Sequence, residues 1–310
     1  MNRNDDSGKD RKNGKRAGDS SAKRDHADRK DRDDAPITPG GMSERDFEAL
    51  DRAWEDYEAG EIERAAEAVG HLFRRTDGHP EVRFLRGVLL LESDEPKEAL
   101  AELNECVSDV EDQALHAYYR SLALYDLARF EEAEGELQIL ASTDLDTGSV
   151  QYLLAQVREN LGRREEADRA YASAHAAAPE DFPLPMRMSR SAFEEAIHDA
   201  RGQLPENLQE KLDQVPVVVD DLPPREILTH PEGEGLTPDL LGLFVGRNLR
   251  DESVFEIPGI PAAIYIYERN LERACRTREE LVSEIATTLY HELGHYLGLD
   301  EDDLRELGVD

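Results

Sequence analysis

Near its C-terminus the chain reads His291-Glu292-Leu293-Gly294-His295, two imidazoles flanking a carboxylate at a spacing that suits metal chemistry. Residues four apart on a helix lie one turn apart on the same face, so both histidines can reach one ion while Glu292 projects beside them. A single Zn²⁺ held there would bring a bound water toward neutral pKa, and Glu292 is placed to take its proton and later deliver it to a leaving amine. Gly298 follows three residues after the second histidine, where the chain can reverse, and fifteen residues remain after His295. The near candidates for a third ligand are therefore Asp300, Glu301 and Asp302. Asp300, with Asp303 three residues on, is spaced to cap a short final helix over 304–307. Glu301 is then the expected ligand, with Asp302 or a water as the alternatives.

The motif needs a helix, and the pattern of apolar residues predicts one over 278–297 that ends at Gly298. Shorter helices are expected over 191–201 and 206–213. Strands are expected over 215–220 and 262–268, with a weaker third over 240–246, joined by loops rich in proline and glycine. A peptide hydrolase also needs a donor for the developing oxyanion. Tyr265, Tyr267, Tyr290, Tyr296 and His230 are candidates, although Tyr265 and Tyr267 share one strand face and fit a core equally well. Glu284, two turns before His291, is either an orienting partner for an imidazole or a solvated charge.

The first half has a period. Ala65, Ala99, Ala133 and Ala167 recur every 34 residues, each opening the second helix of an expected hairpin. Gly60, Asp94, Ala128 and Gly162 stand five residues before them, where two helices must be joined tightly. Ala53, Gly87, Ser121 and Ala155 stand twelve before, small enough for close helix approach. Arg52, Arg86 and Arg120 repeat at the same interval, as a groove for an acidic peptide or as charges paired with neighbouring glutamates. Pro179, Pro183 and Pro185 then break the helical pattern and read as a linker.

The 310 residues carry 70 Asp and Glu against 37 Lys and Arg, a net charge of −33. Residues 1–40 are nearly balanced, so the deficit belongs to the rest of the chain. Lacking large apolar side chains before Ile37, residues 1–43 are expected to be a disordered charged tail. The negative field argues against nucleic-acid or anionic-membrane partners. No apolar run is long enough for a membrane span and no signal-peptide core is present, so a cytoplasmic protein is expected. Cys106 and Cys275 form no pair that would suggest a disulfide framework or a cysteine zinc cluster.

The 34-residue period and its small residues resemble the tetratricopeptide repeat family, about four units over 44–180. That resemblance implies an all-α solenoid whose concave face binds a protein or peptide. The segments SAFEEAIHDARGQLPENL, VPVVVDDLPP, LLGLFVGRNL, IPAAIYIYERNL and HELGHYLGLDEDDL resemble the minimal zincin-like metallopeptidase family of bacteria. They imply a small α+β domain over 181–310. Its histidine ligands fall on His291 and His295, its catalytic glutamate on Glu292 and its glycine on Gly298. The family's usual Ser then Asp are here Asp300 and Glu301, and its aromatic-Gln-Gly segment is Phe244-Val245-Gly246. Thermolysin-like zincins need a glutamate farther downstream than this chain extends. Metzincins need a third histidine where Glu301 stands and a later methionine, whereas all four methionines precede the motif. The expectation is a zinc metallopeptidase acting on a polypeptide substrate, with the repeats recruiting substrate or partner. The alternative is a non-catalytic zinc-binding scaffold built on the repeats.

Overall fold

The computed structural model describes residues 41–306 apart from 108, 144–146, 234 and 251–252. The tail expected over 1–43 lies, up to residue 40, outside the described residues. Four helix pairs come first: α1 (Glu44–Glu58) with α2 (Ile62–Arg75), α3 (Pro80–Glu92) with α4 (Pro96–Glu105), α5 (Gln113–Asp126) with α6 (Phe130–Leu140), and α7 (Thr147–Asn160) with α8 (Arg164–Ala177). The Ser43 hydroxyl accepts from the Asp46 amide while the Asp46 carboxylate accepts from Ser43, a reciprocal cap that starts α1. Pro80 and Pro96 open α3 and α4, where a missing N–H is harmless.

The period is visible in the backbone. Gly60, Asp94, Ala128 and Gly162 all adopt positive φ, at 80°, 55°, 53° and 73°, making the same tight reversal inside each hairpin. The alanines at the start of the second helices are fully buried. At Gly87 an added Cβ would meet Leu103 Cγ at 2.8 Å, so α3 and α4 touch through the missing side chain. Edge-to-face rings link successive first helices, Trp54 to Phe84 at 5.5 Å and Phe84 to Tyr119 at 6.0 Å. Two of the recurring arginines pair within the solenoid. Arg86 reaches Glu102 at 2.9 Å and Arg120 reaches Glu136 at 2.8 Å, the charge-pairing alternative of the two sequence readings.

The remaining elements are α9 (Arg190–Gln203), α10 (Glu206–Leu212), β1 (Val217–Asp220), α11 (Arg225–Leu228), β2 (Gly242–Arg247), β3 (Ser253–Phe255), β4 (Ala263–Tyr267), α12 (Glu268–Ala274), α13 (Arg278–Leu297) and α14 (Glu301–Glu306). They form a small α+β unit, as the sequence implied. The sheet order is β1-β4-β2-β3; β1 runs parallel to β4, and β2 runs antiparallel to both β4 and β3. The short β3 was not anticipated. Phe244, Ile264 and Ile266 face the core shared with α9 and α13. Tyr265 and Tyr267 point to the opposite face, into a second core with Ile227, Val245 and Phe255.

The proline-rich connection between α8 and α9 is fastened along its length. Arg187 pairs with Glu159 at 2.7 Å, Asp168 at 2.8 Å and Glu272 at 3.4 Å, and the Met188 amide donates to Glu272 at 2.6 Å. Glu159 belongs to α7 and Glu272 to α12, so one guanidinium ties the solenoid to the α+β unit.

Candidate metal centre

The helix that carries the motif is built to hold its position. The Thr277 hydroxyl caps it by accepting from the Glu280 amide at 3.1 Å. Leu281, Ile285, Leu289 and Leu293 form its fully buried stripe, recurring every four residues. At the far end Gly298 takes φ 87°, and the Leu299 amide donates back to the Gly294 carbonyl at 3.0 Å, a left-handed termination that suits glycine.

Two glycines set the distances around the site. A Cβ on Gly242 would stand 2.5 Å from Thr288 Cγ2 and 3.2 Å from Glu292 Cγ, so β2 lies directly on the motif face of α13. A Cβ on Gly294 would stand 2.4 Å from Leu304 Cδ2, so the middle of the motif is the seat of α14.

His291 Nε2 and His295 Nε2 lie 3.1 Å apart, with ring centroids 4.8 Å apart and planes at 81°. Two nitrogens bound to one tetrahedral zinc at about 2.0–2.1 Å would stand roughly 3.3 Å apart, so the pair fits a shared ion. His295 Nδ1 lies 3.2 Å from the Leu299 carbonyl oxygen. Donation from Nδ1–H to that carbonyl fixes the tautomer and leaves Nε2 as the metal-facing lone pair.

Glu292 is only 7 % exposed, and its Oε2 accepts from the Phe244 amide of β2 at 2.6 Å. A backbone donor at that distance orients the carboxylate. The group of the Phe244-Val245-Gly246 segment that reaches the site is the peptide N–H of Phe244.

The carboxylates after Gly298 divide. Asp300 caps α14: its Oδ1 accepts from the Asp303 amide at 2.9 Å, and its amide donates to Asp303 at 3.3 Å. Asp302 is exposed and pairs with Arg305 at 2.6 Å. Glu301 opens α14, and its side chain lies outside the described residues. Among the described residues no group of three or more His, Cys, Asp or Glu side chains is drawn together as a metal cage.

Of the other candidates, Tyr265, Tyr267 and His230 are engaged elsewhere, while Tyr290 and Tyr296 pack against the core shared by α9 and α13. Tyr265 donates to the Pro261 carbonyl at 3.0 Å, and Tyr267 is buried on the same far face of the sheet. His230 Nδ1 accepts from the Glu232 amide within its own turn. Tyr296 stacks edge-on against Phe244 at 5.6 Å. Glu284 is half-buried beside Cys275; burial pushes its carboxyl up, and the Cys275 thiol is pushed up to about 12 by burial and by that carboxylate.

Residues 212–309 match the family model described as zincin-like metallopeptidase. The C-terminal part of the chain is thus similar to the zincin-like metallopeptidase family, and four helical hairpins precede it. The solved structure of the MamA RS-1 ArsTM double mutant is similar at 14% identity and TM-score 0.38, over 52% of this chain and 87% of that one. No curated protein matches the chain. Among the described residues no helix is long and apolar enough to cross a membrane.

Proposed function

We propose that the protein is a zinc-dependent peptidase in which His291, His295 and Glu301 hold one ion and Glu292 is the general base. The observation that carries this reading is the convergence of the two Nε2 atoms at 3.1 Å, with Glu292 beside them on one turn of α13. Of the three carboxylates that could complete the set, Asp300 and Asp302 are engaged in a cap and an ion pair, which favours Glu301. Zinc bound there would supply a Lewis acid that polarises the scissile carbonyl and lowers the pKa of the attacking water. The chain's own residues do the rest. The Phe244 amide holds Glu292 Oε2 in place, the carboxylate takes a proton from the attacking water, and the same group passes it to the leaving amine. Polypeptide is the substrate class, and the acidic surface favours neutral or basic sequences. A cytoplasmic location belongs to the same proposal.

Metal analysis of the purified protein, together with proteomic cleavage profiling of wild type against Glu292→Gln, tests it. One bound zinc in both proteins is expected, with cleavage reduced at least about 100-fold in the variant. Zinc in both with identical profiles would overturn the peptidase reading in favour of a metal-bearing scaffold.

A further inference from the structure

The solenoid touches the α+β unit at the residues that lead into β2. Leu228, Leu236 and Leu240 pack against the solenoid core. Between the last two, Asp239 Oδ1 accepts from Tyr125 Oη of α5 at 2.8 Å, from Gln156 Nε2 of α7 at 3.2 Å, and from Arg273 Nη2 of α12 at 2.6 Å. Tyr125 is 1 % exposed and Arg273 also reaches Glu159 of α7, so the cluster is buried at its solenoid end, while Asp239 itself is half-exposed. Asn270, 1 % exposed, donates to the carbonyls of Pro238 at 2.8 Å and Leu240 at 2.6 Å. The backbone on both sides of Asp239 is therefore held. Two residues later the Leu241 carbonyl accepts from the Tyr267 amide, Gly242 lies against Thr288 and Glu292, and the Phe244 amide binds Glu292.

We propose that the solenoid acts in cis on the active-site strand. Tyr125 and Asp239 are positioning residues that fix the lead-in of β2 and, through the Phe244 amide, the orientation of Glu292. This rests on the peptidase reading only in giving Glu292 its task. The face of α5 and α7 here receives the chain's own segment 236–240: an aspartate between leucines. The third and fourth helix pairs thereby serve the site as a mount.

Amide hydrogen exchange on the full-length protein tests this, comparing Asp239→Ala, Asp239→Asn and Tyr125→Phe. Asp239→Ala is expected to speed exchange over 241–247 about tenfold while α1 to α3 keep wild-type rates. Asp239→Asn retains the acceptor oxygen and should stay within about twofold of wild type, and Tyr125→Phe should fall between the two. Peptide cleavage by Asp239→Ala should lose kcat with KM unchanged, because the strand's effect runs through Glu292. Unchanged exchange over 241–247 in Asp239→Ala, or an equal rise along the whole chain, overturns the proposal. Should Asp239→Ala fail to fold, Tyr125→Phe, which removes one oxygen, decides by the same criterion. The exchange result stands even if Glu292→Gln leaves cleavage untouched, so the two readings fail separately.

Discussion

The two halves of the chain reach order by opposite means. The solenoid repeats one local solution four times, with each hairpin closing through a left-handed residue, a small residue and a buried alanine from within 34 positions. The α+β unit uses each contact once and over long separations. Phe244 meets Glu292, Met188 meets Glu272, and β1 pairs with β4 across some 47 positions. A repeat spreads the consequence of a change over neighbouring units, whereas a single-use contact concentrates it at the site.

That contrast can be broken in order of expected effect. Phe84→Ala, which removes a fully buried ring between Trp54 and Tyr119, should cost about 3–5 kcal/mol in urea unfolding. If the halves are separable, the loss will appear in solenoid probes while α13 stays protected; a single shared transition would show them coupled. Arg187→Met should cost about 2–4 kcal/mol by leaving Glu159 and Glu272 short of a partner while buried, and should merge or split transitions accordingly. Gly242→Ala should destabilise the α+β unit by about 1–3 kcal/mol, since the Tyr265 carbonyl oxygen at 3.1 Å and Thr288 leave the new Cβ no room. Gly162→Ala should cost only about 1 kcal/mol. Nothing lies within 4 Å of its Cβ position, so the cost is backbone conformation at φ 73° alone, read from thermal unfolding.

Much of the solenoid was legible because a period declares itself in small residues. The motif helix was legible to its last residue, since Gly298 and the apolar stripe mark its end and face. What escaped was held by partners remote in sequence. Three residues of β3 have too little pattern to announce a strand, and the weak third strand became the central β2 because β4 and α13 enclose it. The Phe244 contribution was invisible because it is a peptide group. Asp239 reads as an ordinary loop aspartate until Tyr125, 114 positions earlier, is brought beside it. Tyr265 and Tyr267 fit oxyanion donor or core equally by alternation, and the sheet's second apolar face chose the core.

The seat that Gly294 makes for Leu304 gives the motif's unassigned positions a task. Leu293 locks the helix to the sheet, and Gly294 leaves a notch into which the following helix drops its fully buried leucine. The histidines and the stretch bearing Glu301 are thus joined twice, once along the chain through Gly298 and once across it through Leu304. A cut after Asp300 would do more than remove a carboxylate: it would uncover the notch in the middle of the motif and loosen the frame in which both imidazoles are aimed.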